Sequence, residues 1–240
     1  MATKQEKGDA LASSIESESR KQTPITVKAP NIQTIVLHIM GTAPYVQHKF
    51  SQKSVEQIRA TQEAGTTAKS KKARQPKDFE ENCRNATYFS RQGWIGMPAT
   101  AFRKAMISAC RLVGFKMTMA KLAVFTKADG FDKFDGTPLV RIYGKHRTDV
   151  RPARNDNGSV DLRARPMWDE GGWVARVQIR FDADTFTPTD ITNLMMRVGM
   201  QVGIGEGRND SKDSAGIGWG DFDLIDEDTF KRFVADQEAA

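Results

Sequence analysis

The nine residues from Trp173 to Phe181, WVARVQIRF, constrain this chain more than any other stretch. Trp173, Ala175, Val177, Ile179 and Phe181 alternate with a set that includes Arg176, Gln178 and Arg180. A helix would scatter both sets around its circumference. An extended strand separates them, because successive side chains point to opposite faces of a sheet. The chain must therefore build a sheet with one face in a core and the other face charged.

Asn31 to Met40, NIQTIVLHIM, asks for a second strand of the same kind. It is rich in β-branched residues and aligns Ile35, Leu37 and Ile39 on one side. Gly41 and Pro44 end it. Two segments have helical spacing instead. In Pro98 to Val113, the residues Phe102, Met106, Ala109, Cys110 and Val113 form one apolar stripe. Pro98 suits the first helical position and Gly114 the left-handed residue that ends a helix. Thr187-Pro188-Thr189-Asp190 has the residues of a helix start, with Ile191, Leu194, Met195 and Val198 on its apolar side and Gly199 at its end.

Leu122 to Thr126 reads as a short strand or the end of a further helix, and Pro138 to Tyr143 as a strand. Val150 to Arg154 and Val160 to Met167 read as the arms of a hairpin spanning 148–167, closed by Asn155-Asp156-Asn157-Gly158. Trp219 to Ile225 is the last strand. Stripped of insertions the order is βαββαβ. It predicts an α+β chain with a ferredoxin-like (RRM-like) core, long insertions and a C-terminal glycine-rich loop. Both helices would cover one face of a four-stranded antiparallel sheet, leaving the other face free to bind. The predicted organisation is a mobile polar arm at 1–30, a single domain at 31–226 and an acidic tail at 227–240. The domain carries a basic insertion at 46–91, with a short helix near Ser54–Glu63.

Charge is distributed unevenly. The 240 residues carry 36 Lys and Arg against 30 Asp and Glu, a net charge of +6. Lys49 to Lys77 holds eight basic residues and two acidic ones, and Arg141 to Arg165 holds seven and three. From Glu206 onward there are four basic and ten acidic residues. A basic body of this kind suits a polyanionic partner. Two cysteines, Cys83 and Cys110, exclude a disulfide scaffold and a zinc site built on paired CxxC motifs. No apolar run approaches the ~20 residues of a membrane span, and the first residues have no apolar signal region. The expectation is a soluble cytoplasmic protein without metal or cofactor.

Gly203 to Phe222, GIGEGRNDSKDSAGIGWGDF, contains six glycines around a polar middle. Glycines at this density let backbone N–H groups approach a phosphate. The segment lacks the Gly-Lys-Ser/Thr of a Walker A loop, and Arg208 stands where a dinucleotide fingerprint needs its last glycine. Arg208 and Lys212 supply charge, and Trp219 supplies a stacking plane. The residues expected to meet nucleic acid are Gly203, Gly205, Arg208, Lys212, Gly218 and Trp219 of this loop, together with Lys69, Lys71, Lys72 and Arg74 of the insertion. Arg103 and Lys104, off the stripe of the first helix, join them, as do Arg147, Arg151, Arg163 and Arg165 of the hairpin. On the hairpin, Arg163 and Arg165 share a face, whereas Arg151 and Arg154 do not. Trp173 reads as core, and Trp168 as either a core anchor or a base platform. Asp129, Asp132 and Asp135 lack calcium-loop spacing and read as turn residues.

The glycine loop, followed by a hydrophobic strand, resembles the C-terminal glycine-rich loop of the RAMP superfamily of CRISPR-associated proteins. Gly93 to Arg103, GWIGMPATAFR, and Leu37 to Tyr45, LHIMGTAPY, are similar to two further segments of that family. The resemblance is closest to the Cascade backbone-subunit branch. It implies a non-catalytic subunit that polymerises along a guide RNA with other ribonucleoprotein subunits. The spacing between Arg208 and Gly216 departs from the family's pattern and leaves open a phage or mobile-element relative with no guide RNA, and the ligand is RNA or single-stranded DNA. Some RAMP proteins are ribonucleases with a catalytic histidine, so the resemblance offers His48 and His146 as weak candidates for a metal-independent endoribonuclease. A third reading is a phage or plasmid structural protein whose basic patch meets an acidic partner. In all three, the acidic end of one copy can dock on the basic face of the next.

Overall fold

The computed structural model describes residues 27–49, 56, 59–60, 62–63, 77–154, 158, 160–211 and 215–239. The chain divides into Met1–Pro30 and a compact unit, Asn31–Ala240. Residues 1–26 of the expected arm lie outside the described residues, as do Lys69, Lys71, Lys72, Arg74, Lys212 and the Asn155–Asn157 turn. Within the expected helix at 54–63, the described residues Glu56, Arg59, Ala60, Gln62 and Glu63 are helical.

The unit is a mixed α+β fold built on a curled antiparallel sheet. Strand β1 (Ile32–Gly41) lies between β9 (Val174–Asp182) and β10 (Phe222–Ile225), antiparallel to both. The other edge of β9 is shared. β4 (Val124–Lys127) pairs with its second half and β6 (Pro138–Tyr143) with its first residues. β6 in turn pairs with β3 (Gly96–Pro98) and β5 (Gly130–Phe131). A second sheet has the order β2-β8-β7, formed by β2 (Tyr45–Val46), β8 (Val160–Trp168) and β7 (Arg147–Arg154).

The register puts Leu37 opposite Val177 and Ile35 opposite Ile179, so the apolar alternations of β1 and β9 coincide on one face. Helices α2 (Ala99–Ala109) and α4 (Pro188–Arg197) cover that face. Phe102, Met106, Ala109 and Cys110 of the predicted stripe are fully buried there, with Ile191, Met195 and Val198. Val113 departs from the stripe and is 52% exposed. Cys110–Val113 is a 3-10 turn, ended by Gly114 at φ 69°. Its tighter winding rotates Val113 off the face that α-helical spacing predicts. Leu122 to Thr126 proves to be both alternatives: α3 (Met117–Ala123) runs directly into β4.

The start of α4 is a capping box. The Thr187 hydroxyl accepts from the Asp190 amide, and the Asp190 carboxylate accepts from Thr187 N–H. Gly199 does not end this helix. The chain continues as a π-helical turn, Val198–Val202, and leaves it at Gly203. Gly199 is where the turn meets β10: an added Cβ would lie 1.9 Å from the Phe222 carbonyl oxygen.

Two expectations are corrected. Residues 227–240 are not simply a tail, since Glu227–Ala239 forms helix α5. The outer face of the sheet is not wholly free, because α5 lies on it. Phe230 of α5 is buried against His38 and Tyr143, with ring centroids 4.7 and 5.5 Å away. The acidic composition of this segment concealed the ring, Phe230, that α5 buries on a face that alternation alone leaves open. Helix α1 (Phe79–Asn85), capped by the Asp78 carboxylate, lies within the insertion at 46–91, beyond the short helix expected near Ser54–Glu63. Among the described residues, no helix is long and apolar enough to cross a membrane.

Candidate functional site

Tyr45 and Val46 attach the end of the first strand region to β8, at Trp168 and Met167. The glycine loop then closes over β2. Glu206 N–H donates to the Val46 carbonyl at 2.9 Å, and Gly220 N–H donates to the Pro44 carbonyl at 2.8 Å. Ile204 N–H donates to Gly220 C=O across the base of the loop at 3.1 Å. All six glycines have φ between 71° and 80°. At Gly205 the reason is contact, since an added Cβ would stand 2.5 Å from the Val46 carbonyl oxygen and 2.6 Å from the Tyr45 ring. The loop is packed backbone against backbone, and several of its N–H groups are spent inside the protein.

The hairpin β7–β8 lies along the other side of this loop. Its register puts Arg151 opposite Arg163 and Asp149 opposite Arg165. These four residues occupy alternate positions and share one face, which meets Trp219. Trp219 is 8% exposed and packs with Val46 and Met167 in a small second core. The Arg151 and Arg165 guanidinium groups lie 4.9 and 5.8 Å from its ring centroid. Trp219 therefore joins loop to hairpin and is not an open stacking platform. Trp168 resolves as core: it is fully buried, and its indole N–H donates to the Gly144 carbonyl at 3.1 Å.

The hairpin arginines bring their own counter-charges. Buried Asp149 accepts from Arg151 at 2.9 Å and lies within ion-pair distance of Arg147 and Arg165. Arg147 also contacts Asp169 at 3.2 Å. Arg165 holds Glu206 at 2.5 Å. Arg147, Arg151 and Arg165 of the basic run are thus paired in space with carboxylates that the sequence scatters over Asp149, Asp169 and Glu206. Arg163 is half-buried beside His48.

Between the glycine loop and α2 runs a groove. One cavity of about 400 Å³ is lined by Lys104, Ser108, Gly203, Arg208 and Asp210 among others. A second of about 340 Å³ adjoins it and is lined by Gln47, His48, Tyr88, Glu206 and Arg208. Tyr88, Pro98, Ala101, Gly205 and Arg208 belong to both, which makes the groove continuous. Arg208 is held in place by a hydrogen bond of 3.0 Å from Nη1 to the Gly205 carbonyl. Lys104 is exposed at the rim. Asp210 bonds the Ser108 hydroxyl and the Arg111 guanidinium, which hold its carboxyl below the usual carboxylate range. Gln47 is 3% exposed, and among the described residues its amide oxygen and nitrogen have no hydrogen-bond partner.

His48 keeps about a third of its side chain exposed, with Nδ1 3.7 Å from the Glu206 carboxylate. Burial pushes its pKa down, and Arg163 and Arg165 add to that, while Glu206 opposes it. An imidazole so placed is neutral at pH 7, with a carboxylate to orient it. His146 is separate, beside the Trp168 ring at 5.0 Å, with its pKa also lowered by burial.

The structure thus brings together Lys104, Gly203, Gly205, Arg208 and His48 around the groove, with Arg151, Arg165, Gly218 and Trp219 on the far side of the loop. Arg103 points elsewhere: it donates to the carbonyls of Val124 and Lys121 and stacks on Phe125. Asp129, Asp132 and Asp135 are turn residues as read. Their carboxylates accept from the backbone N–H groups of Arg141, of Phe134 and Asp135, and of Thr137, respectively. Sequence reasoning missed Gln47, Tyr88 and Glu206. No spacing rule joins them, since they sit on a strand end, an insertion and a loop that meet only when folded. Compared with known protein families and with curated proteins, the chain matches no family model and no curated sequence.

Proposed function

We propose that this chain is a non-catalytic single-stranded nucleic-acid-binding protein, with RNA or single-stranded DNA lying in the groove between the glycine loop and α2. The observation that carries this reading is the sharing of one continuous groove by Lys104, Arg208 and Tyr88. Two cations at the wall of a groove follow a phosphate backbone, and an aromatic side chain within it gives a base a surface to stack on. The basic stretch from Lys49 to Lys77 adds charge to the same body. We read the core as ferredoxin-like, of the RAMP type. The strand order β10-β1-β9 with β4 outside it, and α2 and α4 on one face, support that reading. Assembly into a homo-oligomer along the strand draws support from the exposed charges of α5, where Glu227, Asp228, Asp236 and Glu238 outnumber Lys231 and Arg232. The test is an anisotropy titration of a labelled 30-mer RNA and its DNA counterpart at low salt. Saturable binding is expected, and its absence for both strands overturns the reading.

A second reading, a histidine endoribonuclease, is favoured by the proximity of His48 to Glu206. A neutral imidazole oriented by a carboxylate could take a proton from a ribose 2′-hydroxyl. Incubation of a hairpin RNA with the protein separates the two readings. Intact RNA is expected, and a discrete product lost in His48→Ala would favour catalysis.

A further inference from the structure

The cations of the sheet are disposed unlike those of the hairpin. On the outer face, the alternation of β9 places Arg176, Gln178 and Arg180 together, since Ala175, Val177, Ile179 and Phe181 are buried on the other side. The register of β4 sets Phe125 opposite Arg180 and Lys127 opposite Gln178. On the other edge of β9, Thr34 and Val36 of β1 stand opposite the same two residues. Helix α5 covers this face at its His38 end, whereas Thr34, Val36, Lys127 and Arg180 are exposed.

No carboxylate answers these cations. Among the described residues, none lies within ion-pair distance of Lys127, Arg176 or Arg180. Asp182, the next acid along β9, accepts from Asp184 N–H and the Thr185 hydroxyl. Glu227 of α5, whose field reaches Arg176, is paired with Lys231 at 2.8 Å. The Phe125 ring lies between two guanidinium groups that differ in freedom. Arg103, 5.0 Å from its centroid, is fastened to the carbonyls of Val124 and Lys121. Arg180, at 5.2 Å, is exposed and rests on the ring alone. A paired cation must give up its carboxylate before it meets a phosphate, and an unpaired one gives up only water. Arg176 and Arg180 stand four residues apart on one strand, about 13 Å. That is too far to clasp one small anion and suits a chain of them.

We propose that the open part of this outer face is a second track for single-stranded nucleic acid. Phosphates meet Arg180, Lys127 and Arg176, and a base lies on the Arg180 guanidinium, whose flat surface takes any of them. The track is on the opposite side of the sheet from α2 and is separate from the groove. The inference takes its ligand class from the nucleic-acid reading above and does not need the groove to be occupied.

The experiment is an anisotropy titration of a labelled 30-mer RNA and its DNA counterpart with the full chain, repeated across salt concentrations. Lys127→Gln combined with Arg180→Gln is expected to flatten the slope of log K against log salt by about 1.4, two phosphates at about 0.7 each. Binding at low salt should weaken tenfold or more. The melting temperature should match the wild type, because neither side chain has an ion pair to lose. Lys127→Gln combined with Arg176→Gln stands in if the first variant melts early. A double variant that binds as the wild type does overturns the second track, and the groove reading stands if Lys104→Ala and Arg208→Ala still weaken binding. Failure of the wild type to bind either strand overturns both. Sedimentation velocity without nucleic acid completes the test. Self-association of the wild type that disappears in the double variant would assign the face to the acidic helix of another copy and overturn the track.

Discussion

Gly220 and Ile204 approach so closely that a Cβ on the glycine would sit 1.8 Å from the Ile204 carbonyl oxygen. Gly218, two residues earlier on the same loop, has nothing within 4 Å of the corresponding position. Both have positive φ, 73° and 76°. Alanine at Gly218 therefore carries only the conformational cost, about 1–2 kcal/mol. Alanine at Gly220 adds a backbone collision that the loop cannot relieve without lifting off β2. Urea unfolding should show Gly218→Ala mildly destabilised and Gly220→Ala much more so, or not folded at all. Equal losses would mean that the loop does not pack as described.

The salt dependence of binding counts the cations that meet phosphate. Each single-strand phosphate neutralised contributes about −0.7 to the slope of log K against log salt. Lys104→Ala and Arg208→Ala should each flatten the slope by about that amount while leaving the melting temperature close to wild type. Unchanged slopes in both variants would remove the groove from the binding surface.

Arg165→Ala should behave in the opposite way. Arg165 is buried against the Trp219 ring and holds Glu206 at 2.5 Å, and its loss removes that contact while Asp149 keeps Arg147 and Arg151. Losing a hydrogen bond between charged groups costs about 1.5–3 kcal/mol. Denaturant unfolding should register the loss, with little change in the salt slope. A variant as stable as wild type but with a flattened slope would mean that Arg165 faces the ligand.

The three histidines, His38, His48 and His146, all have pKa values below the ordinary 6.5, burial being the largest cause in each. The unfolded chain therefore binds protons at a higher pH than the folded one. Stability is complete above pH 6.5 and falls as the pH drops below it, toward the lower folded values. Asp210, whose folded value is depressed, acts in a separate and more acidic window, losing its contribution as the pH falls through that value. Melting temperature should decline between pH 7 and pH 5, and the decline should shrink in His48→Gln. A flat profile across that interval would contradict the burial of these rings.

Helix α5 is tested by Phe230→Ala. If the ring anchors the helix on His38 and Tyr143, its truncation costs about 3 kcal/mol, as large-to-small changes at buried aromatics do. A near-zero change in unfolding free energy would show that the helix contributes nothing to the stability of the sheet.

Much of the sheet was legible because its signal is local. The alternation in Trp173 to Phe181 and the capping residues at Thr187 to Asp190 act over a few neighbours, and β9 and α4 formed where those patterns lie. Misreadings came where a distant residue decides. Gly199 looked like a helix end but is small because Phe222 of β10 crosses it. Trp219 offered an aromatic plane until Arg151 and Arg165, far earlier in the chain, covered it. The groove was half legible. Lys104 and Arg208 declared themselves by charge, whereas Gln47 and Tyr88 gain meaning only from the cavity they line.

Glu206 touches both His48 and Arg165 and so ties the glycine loop to the hairpin. An anion arriving at Arg165 finds a tenant already in place. Its arrival is an exchange, in which one oxygen acid replaces another and the protein's own carboxylate is evicted rather than a sodium ion. Such a swap hardly registers the surrounding electrolyte. The side chain an anion would have to displace stands on the residue whose amide clasps Val46, so Glu206 is fastened by its main chain on one side and by its carboxylate on the other.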